Sequence, residues 1–410
     1  MLSWTNRFNI CCFLDNQQYH LPHHSIECMV AAGAIHTLTT AAGNAFDQLL
    51  YIYEENKDWL FGHLSYDLKN ETEGLTSNNT DGIGFPDLCF FIPKVVLQLS
   101  QHELSIGTFD ERHEAVYHEI CAAEPVTASP AQLLTPISNR ISREEYIHTI
   151  QQLQQHILRG DCYEINFCQE FYGENVSIDP LQVYCSLSNT SPNPFAAFYK
   201  TGYRYLLCAS PERYLKKTGD KIYSQPIKGT SQRNLFDVNE DVKNKEHLYN
   251  SAKDRSENVM IVDLVRNDFS KICEEASVQV DELFGIYSFP QVHQMISTIS
   301  GQLRPDIHFI DAIRATFPMG SMTGAPKKRV LQLIEQYEKT KRGIFSGAVG
   351  YITPEGDFDF NVVIRSIMYN AQSKYLSFQA GSGITFYSDP EKEYEECLLK
   401  AAAIKKVLGH

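Results

Sequence analysis

The sequence predicts an α+β protein in which large antiparallel or mixed β-sheets pack against outer helices. Two observations lead to this prediction. Segments with strand composition and segments with helical periodicity are mixed along the chain, whereas a doubly wound parallel sheet needs strict alternation. The 410 residues are 43% hydrophobic and include 23 Phe and 22 Tyr, which suits a globular chain with a substantial core. This length fits two domains or one unusually large body.

Six segments have the β-branched and aromatic composition of strands. The first, 90–99, is interpreted as a strand pair or as an edge strand, because Pro93 has no amide hydrogen to donate to a ladder. The other five predicted strands are 203–210, 223–227, 347–352, 362–369 and 376–381. No fixed-period repeat connects them, so a repeat architecture is not expected.

Four segments are predicted to be helices: 142–159, 241–265, 327–337 and 391–407. In the first, Ser142 and Glu145 form the pattern of a capping box, in which the serine side chain accepts a bond from the amide three residues on. Apolar residues then recur there at helical spacing: Tyr146, Ile150, Leu153 and Ile157. Pro326 precedes the third helix, where a proline is well tolerated.

The boundary between two regions is predicted from composition. Residues 122–136 are rich in Ala, Pro, Thr and Ser, which is typical of a linker. The chemically distinctive motifs all lie after this stretch. We therefore expect an N-terminal region, 1–135, packed intimately on a catalytic domain, 136–410.

Charge and cysteine content argue against several classes of protein. Lys and Arg number 36 against 50 Asp and Glu, so the formal charge of −14 disfavours broad nucleic-acid binding. The eleven cysteines form no C-x-x-C pair, which disfavours a zinc site. Their odd number, without a recognisable secretion signal, indicates reduced thiols and a cytoplasmic protein. No window approaches 18 uninterrupted apolar residues, so no membrane span is expected.

Four acidic side chains stand three residues apart in two of the predicted helices: Asp254 and Glu257 in one, Glu393 and Glu396 in the other. Positions i and i+3 share a helix face, so each helix presents two carboxylates in one direction. Two such faces brought together would form an all-oxygen site suited to Mg²⁺. Either pair alone is equally consistent with a solvated surface, and Glu393 lies in a first turn, where the helix dipole already favours acids.

A glycine-containing turn, FPMGSMTGAPKKR over 317–329, leads into the third predicted helix. Gly324 allows close approach of the backbone, and free amides around Thr323, with the Thr323 hydroxyl and Lys327, would bind an anion. The spacing is not that of a P-loop, so a carboxylate is at least as good a ligand as a phosphate. The alternative is an ordinary Gly-Pro loop that enters a helix.

Two charged residues near predicted strands are candidates for chemistry. Lys228 stands between Pro226 and Gly229, which would let it project into a cavity, and a desolvated lysine is a competent nucleophile. Glu212 follows the strand 203–210 and would act as a general acid if buried. The alternatives are a surface charge for Lys228 and an ion pair with Arg213 for Glu212.

Taken together, these segments resemble the chorismate-utilising enzymes. The resemblance covers about 270 residues, from near Pro136 to the C-terminus, and rests on eight motifs in order: GDCYEINF, ASPER, PIKGT, SENVMIVDLVRND, FPMGSMTGAPK, GAVGYI, VVIRS and AGSGI-x₄-DPEKEYEE. The family includes anthranilate synthase component I, aminodeoxychorismate synthase component I, and the isochorismate and salicylate synthases. The resemblance implies their fold, a dependence on Mg²⁺, and chorismate, a ring dicarboxylate, as substrate.

The resemblance also implies a role for individual residues. Glu257 and Glu396 fall on direct metal ligands, with Asp254 and Glu393 beside them. Glu212 falls on a general acid near the ring C4 hydroxyl. The residues implied in substrate binding are Thr323 and Gly324 in the turn, Arg365 and Gly383 at the pyruvyl carboxylate, and Lys327 as a further anion contact. His293 is a weaker candidate, because Gln294 occupies the slot in which the family often has His.

Two positions indicate the subfamily. The isochorismate and salicylate synthases have a water-activating Lys where this chain has Glu164, and the ammonia-using enzymes usually have Gln there. Anthranilate synthases typically read P-I-A-G-T, whereas Lys228 in P-I-K-G-T resembles aminodeoxychorismate synthase component I of one common type. That resemblance implies a lysine that attacks the ring, and ammonia from a separate glutamine amidotransferase. Anthranilate synthase component I and a non-catalytic chorismate-binding subunit remain the alternatives.

Overall fold

The computed structural model describes residues 1–19, 26–128, 133, 135–289 and 292–409. Residues 129–132 and 134, which belong to the predicted linker, lie outside the described residues. Within the described ranges the chain forms nineteen strands and eleven α-helices.

The strands, in chain order, are β1 (Ile10–Asp15), β2 (Cys28–Thr40), β3 (Leu60–Leu64), β4 (Leu88–Leu99), β5 (Leu104–Thr108), β6 (Ser138–Asn139), β7 (Glu164–Gly173), β8 (Phe195–Thr201), β9 (Arg204–Ser210), β10 (Arg213–Thr218), β11 (Lys221–Gln225), β12 (Ile227–Gln232), β13 (Gln279–Ser288), β14 (Val292–Gln302), β15 (Gly324–Ala325), β16 (Ala348–Ile352), β17 (Phe358–Asn361), β18 (Ser366–Asn370) and β19 (Tyr375–Ile384).

The α-helices are α1 (Leu2–Thr5), α2 (Ala45–Asn56), α3 (Lys69–Thr72), α4 (His113–Ala122), α5 (Arg143–Leu158), α6 (Pro180–Thr190), α7 (Val238–Asn250), α8 (Ala252–Ser270), α9 (Phe309–Thr316), α10 (Lys327–Tyr337) and α11 (Pro390–Val407). Short 3₁₀ turns precede α3 and β15, at Tyr66–Leu68 and Gly320–Met322.

The strands form one continuous antiparallel network with two arms that meet at β4. One arm runs from β4 through β2, β1, β8, β9, β18 and β19 to β7, which also pairs with β6 and β15. The other runs from β4 through β3, β16, β17, β10 and β11 to β14, which also pairs with β12 and β13. The predicted α+β class with large antiparallel sheets is confirmed.

Two apolar cores hold the helices against this network. One contains Phe46 of α2 and Ile313 of α9 beside strands of the second arm. The other contains Leu153 of α5, Leu331 of α10 and Cys397 of α11, next to β7 and β19. Burial of a large apolar side chain stabilises a fold by about 1.5–3 kcal/mol. This packing fixes α11, and the acids on it, over the end of β19.

Most predicted elements are confirmed, and four need correction. The helix predicted over 241–265 is two helices, because Ser251 has extended backbone angles and its side chain accepts a hydrogen bond from the amide of Asp254, which starts α8. The strand predicted over 362–369 begins only at Ser366. Arg365 has a φ of +53°, in the left-handed region, which turns the chain out of the ladder.

The other two corrections concern prolines. Pro226 divides the strand predicted over 223–227 into the end of β11 and the start of β12. Pro93 lies inside β4, which is an interior strand and not an edge or a pair. It is tolerated there because it faces the register shift between Ala34 and His36 of β2, where the ladder is already interrupted.

Strands from both predicted regions pair directly with each other. β1 pairs with β8, and β3 pairs with β16, so residues before 135 complete the sheet of residues after it. The boundary at 135 stays a prediction. All eleven cysteines are free thiols. Among the described residues, no helix is long and apolar enough to cross a membrane.

Candidate active site

Lys228 lies in β12 with its ammonium group turned into the protein. Its side chain is 10% exposed, and Nζ lies 2.5 Å from Oε1 of Glu164, whose side chain is 2% exposed. Burial alone would lower the pKa of Lys228, but the nearby carboxylates of Glu164, Glu257 and Glu212 raise it above its ordinary value. The lysine is therefore an ammonium in this arrangement and needs a proton acceptor before it can act as a nucleophile.

Two glycines fix this ion pair between strands. A Cβ atom at Gly383 of β19 would lie 2.6 Å from Oε1 of Glu164 and 2.7 Å from Nζ of Lys228, so only glycine leaves room for the pair. Gly324 of β15 has a φ of +145°, and a Cβ there would lie 2.1 Å from the carbonyl oxygen of Glu164. Closely approaching backbone thus lies against the carboxylate of Glu164 at Gly383 and against its main chain at Gly324.

Glu212 precedes β10 and is 4% exposed. Burial raises the pKa of its carboxyl to about 7, although the Ser321 hydroxyl and the Lys228 ammonium each lower it. It is not paired with its neighbour Arg213. The Arg213 guanidinium instead donates to both carboxylate oxygens of Asp359, at 2.9 and 3.0 Å, which anchors the start of β10. A buried carboxyl with such a pKa is suited to donate a proton near neutral pH.

The first turns of α8 carry two of the predicted acids toward Lys228. Asp254 lies over Gly229, where a Cβ atom would come within 3.0 Å of the Cβ of Asp254. Glu257 is 9% exposed, and burial raises its pKa to about 7, against the lowering effects of Lys228 and Lys253. The glycine of the PIKGT motif therefore allows α8 to pack onto β12.

The other two predicted acids lie at the start of α11. Glu393 is almost fully buried, and its Oε1 lies 3.3 Å from Nζ of Lys253, which is also 3.7 Å from Oε1 of Glu257. Glu396 is more exposed. Burial alone would raise its pKa, but Lys400, with Nζ 2.6 Å from Oε1, lowers the pKa below its ordinary value. One lysine from α8 thus links the acids of the two helices.

These acids provide donors that suit a divalent cation. Oε1 of Glu257 and Oε2 of Glu393 are buried without a hydrogen-bond partner among the described residues, and all the donor atoms are carboxylate oxygens, as Mg²⁺ prefers. No group of three or more His, Cys, Asp or Glu side chains in the described part of the chain is close enough to hold a metal. In this arrangement Lys253 supplies the positive charge between Glu257 and Glu393. The donor atoms have the chemistry that Mg²⁺ prefers, and the metal itself stays a prediction.

The predicted substrate turn lies against β7. Thr323 is fully buried, and its hydroxyl donates to the carbonyl oxygens of Met319 and Gly320, at 3.2 and 3.3 Å. Its carbonyl oxygen accepts from the amide of Asn166 at 2.8 Å. Gly324 then pairs with β7. These bonds place the turn next to Glu164, so Thr323 contributes the shape of the turn.

Arg342 holds this turn in place through hydrogen bonds to the backbone. It is 3% exposed, and its guanidinium donates to the carbonyl oxygens of Met322 at 2.7 Å and Asn166 at 2.8 Å. It also pairs with both carboxylate oxygens of Glu338, at 3.0 and 2.6 Å, and lies over the ring of Tyr66. A planar guanidinium is suited to hold several acceptors at fixed angles. Arg342 thus connects the turn, β7 and the N-terminal region.

Two other predicted residues lie at the margins of this cluster. Arg365 is half-buried, its guanidinium reaches the carbonyl oxygen of Lys400 at 3.5 Å, and burial lowers its pKa despite nearby Glu396. Lys327 is directed away, with Nζ 2.7 Å from Oδ2 of Asp268. Their substrate contacts stay predictions.

His293 is buried in a separate hydrogen-bond chain. Its Nδ1 lies 2.9 Å from the Ser288 hydroxyl and its Nε2 lies 3.1 Å from Oδ1 of Asp241. Arg233 also pairs with Asp241, which fixes the position of α7 against β14. The described contacts of His293 are therefore with α7 and β13 and not with Lys228.

Sequence reasoning did not assign four of the residues that shape this site. Glu164 stood out as a departure from related enzymes, but nothing in the sequence indicated that it faces Lys228. Lys253 stands four residues before Glu257 and could have been recognised as its i,i+4 partner. Glu338 and Arg342 have the same spacing, yet their burial depends on tertiary packing.

A further cleft lies between β1, β8, β10 and β16, apart from these acids. It is bordered by Asp15, Phe195, Lys216, Tyr351 and Asn361. None of the residues predicted from the sequence to act on substrate or metal lines it.

Comparisons with known proteins identify the family of this chain. The chain matches the family model of chorismate binding enzymes over residues 11–406. It is 36% identical over 350 residues to aminodeoxychorismate synthase component 1 of Escherichia coli K12, which covers 85% of this chain and 76% of that protein. It is 31% identical over 355 residues to an anthranilate synthase component I-like protein of Synechocystis, which covers 85% and 72%.

A solved structure confirms the fold. The crystal structure of anthranilate synthase component I from Streptococcus pneumoniae superposes with a TM-score of 0.81 over 95% of this chain and 93% of that one, at 24% identity. Identity at that level supports the fold alone. Because the family model spans nearly the whole chain, the protein is a member of the chorismate binding enzyme family.

Proposed function

We propose that this protein is an aminodeoxychorismate synthase component I, which converts chorismate and ammonia to 4-amino-4-deoxychorismate. The observation that supports the proposal best is Lys228 of the PIKGT motif, buried beside Glu212 and Glu164. Several relatives at 34–36% identity carry the name aminodeoxychorismate synthase component 1.

In the proposed first half-reaction, the Lys228 nitrogen forms a bond to C2 of chorismate. The two ring double bonds each shift by one position, and the bond from C4 to its hydroxyl oxygen breaks. Glu212 donates its proton to that oxygen, which leaves as water. A carboxyl with a pKa of about 7 holds that proton in a useful fraction of molecules near neutral pH.

In the second half-reaction, ammonia forms a bond to C4 and the double bonds shift back. The bond from C2 to the Lys228 nitrogen breaks, and its electron pair returns to the lysine. The new C4 ammonium gives a proton to the Glu212 carboxylate, so chorismate and ammonia yield the amino product and one water. Two displacements retain the configuration at C4, and the pyruvyl group stays attached.

Mg²⁺ would be held by Glu257 and Glu396, with Asp254 and Glu393 beside them. When bound, it would neutralise the ring carboxylate of the substrate. Arg365 and the amides around Gly383 would orient the other carboxylate. Gly383 lies next to Lys228, since a Cβ atom there would lie 2.7 Å from the Lys228 Nζ.

We propose further that the ammonia derives from glutamine on a separate amidotransferase subunit. The amino product would need a lyase to become 4-aminobenzoate, a precursor of folate. The motif with Lys228 and the names of the relatives support this placement.

The second candidate is anthranilate synthase component I, because one relative at 31% identity is named an anthranilate synthase component I-like protein. Incubation of the chain with chorismate, Mg²⁺ and an ammonium salt separates the two functions. Anthranilate is fluorescent and forms without a lyase, whereas aminodeoxychorismate requires added lyase before 4-aminobenzoate appears. Formation of anthranilate, or of no amino product, would contradict the proposal.

A further inference from the structure

Lys228 is the candidate nucleophile of the site. Of the carboxylates around its ammonium group, that of Glu164 makes the shortest contact. Nζ and Oε1 are 2.5 Å apart, and both side chains are at least nine-tenths buried. The second oxygen of Glu164, Oε2, is buried and has no hydrogen-bond partner within the described residues. One oxygen of this carboxylate therefore pairs with Lys228, and the other is available to accept a proton or a hydrogen bond.

The surroundings prevent the two groups from separating easily. A Cβ atom added at Gly383 would lie 2.6 Å from Glu164 and 2.7 Å from Lys228, so the backbone of β19 lies close to both side chains. Gly324 presses on the backbone of Glu164 from the opposite side. The short contact is thus positioned by the backbone of the strands and does not depend on a flexible surface side chain.

The proposed reaction requires a proton acceptor next to Lys228. An ammonium group has no lone pair, so Lys228 must lose a proton before its nitrogen can bond to carbon. Glu212 gives a proton to the leaving hydroxyl in the proposed reaction and cannot take one at the same time. Glu257 lies near Lys228 without a hydrogen bond to it. Among the described residues, Glu164 is the acceptor within hydrogen-bonding distance.

We propose, on the basis of the function proposed above, that Glu164 is the base that takes the proton from Lys228 and returns it when the lysine leaves. In the first half-reaction, one N–H bond of Lys228 breaks, its electron pair forms the bond to C2, and the proton bonds to Glu164. In the second, the pair of the C2–N bond returns to nitrogen, and the Glu164 proton bonds to it. The ion pair is then restored.

Burial favours this exchange once substrate covers the site. Transfer of the proton converts two buried charges into two neutral groups, which removes the cost of holding an ion pair away from water. A glutamine at position 164 could accept a hydrogen bond from Lys228 but could not take its proton. Replacement of Glu164 by glutamine therefore removes its charge and keeps its shape.

The test measures how fast chorismate labels Lys228. The full-length wild-type chain, E164Q and E164D are mixed with chorismate and Mg²⁺ without ammonia. The reactions are quenched at short times, and the Lys228 peptide is quantified by mass spectrometry between about pH 6.5 and 9. Melting curves and equilibrium dialysis with chorismate show that each variant is folded and binds substrate. Taking the ratio of variant to wild type removes the pH dependence of Glu212, and Glu257 remains beside Lys228 in all three chains.

For E164Q we expect a labelling rate about tenfold or more below wild type near pH 7. The ratio should rise about tenfold for each pH unit, because the proton must then leave to solution. E164D keeps a carboxylate, so its ratio to wild type should not change with pH. An E164Q rate equal to wild type at every pH would overturn the assignment.

Two further outcomes are decisive. If E164Q does not fold, an E164D ratio that rises with pH would also overturn the assignment, whereas a constant ratio supports it. If the wild-type chain makes no amino product from chorismate and ammonium, the proposed function itself fails. A wild type that makes the product, together with unaffected E164Q labelling, rejects only the role of Glu164.

Discussion

The ammonium nitrogen of Lys253 lies 3.3 Å from Oε1 of Glu393, so a half-exposed side chain reaches an almost fully buried carboxylate. The same nitrogen lies 3.7 Å from Oε1 of Glu257. Lys253 thus places a positive charge between α8 and α11, next to Glu257, which is one of the two proposed Mg²⁺ ligands.

We predict that K253Q binds Mg²⁺ more tightly than the wild type, by about tenfold. The lysine and the metal would compete for the carboxylate of Glu257, and removal of the lysine ends that competition. Titration calorimetry with MgCl₂ measures the affinity directly. K243Q is a matched control, because Lys243 lies on α7 with a side chain that is 73% exposed. A weaker or unchanged Mg²⁺ affinity in K253Q would contradict the competition.

Replacement of Gly383 by alanine should reduce activity by about tenfold or more, because the new Cβ would displace Glu164 and Lys228. Product formation from chorismate and ammonium measures the effect. The control is G107A, where a new Cβ would meet only ordinary contacts with Val96, at 3.7 and 3.9 Å. Equal losses in the two variants would show that the cause is not the crowding of the ion pair.

The role of Glu212 predicts a rate that falls above about pH 7, by about tenfold per pH unit, as its carboxyl loses the proton needed by the leaving hydroxyl. E212Q cannot give up a proton and should be at least about a hundredfold slower than wild type. The pH profile of kcat/KM for chorismate reports both. If kcat/KM of a residually active E212Q still falls above about pH 7, that fall belongs to another group.

The same carboxyl should affect stability. Its pKa in the folded chain is raised from 4.5 to about 7, so its contribution is fully present below about pH 4.5 and is lost as the pH rises through 7. E212Q stays neutral and should exceed the wild type in free energy of unfolding by about 3 kcal/mol at pH 8, with little difference at pH 5. Urea unfolding at the two pH values measures this. A difference that does not depend on pH would contradict the raised pKa.

Arg342→Lys should raise the KM for chorismate by about tenfold and lower the free energy of unfolding by about 2 kcal/mol. A lysine cannot reach the carbonyl oxygens of Met322 and Asn166 while it pairs with Glu338, so the substrate turn loses its brace. Steady-state kinetics and urea unfolding provide the two values. R266K, on the exposed side of α8, is the control. A normal KM in a destabilised R342K would assign Arg342 to the fold alone.

Periodicity and local capping were sufficient to predict most of the fold. The helices α5 and α10 follow from apolar spacing, the Ser142 cap and the proline before Lys327. The break at Ser251 was not predictable from periodicity, because the polar residues of α7 and α8 continue one helical pattern across it. Pro93 was misinterpreted because a β-bulge in a distant strand, β2, makes an interior proline tolerable.

The site was predicted only in part, for a similar reason. Residues within motifs were found because their chemistry is local. The partner of Lys228 lies 64 residues earlier in the chain, on a strand that reaches it only after β7, β15 and β19 have paired. Lys327 has the charge for an anion contact. Its ion pair with Asp268, however, depends on how α8 and α10 lie relative to each other in the fold.

The most direct test of covalent catalysis by Lys228 is a mass map of the chain after exposure to chorismate and Mg²⁺ without ammonia. We expect one modified site, Lys228, which gains the mass of chorismate less one water. Addition of an ammonium salt should remove the label and release 4-amino-4-deoxychorismate. An unlabelled Lys228, together with full activity in Lys228→Ala, would contradict it.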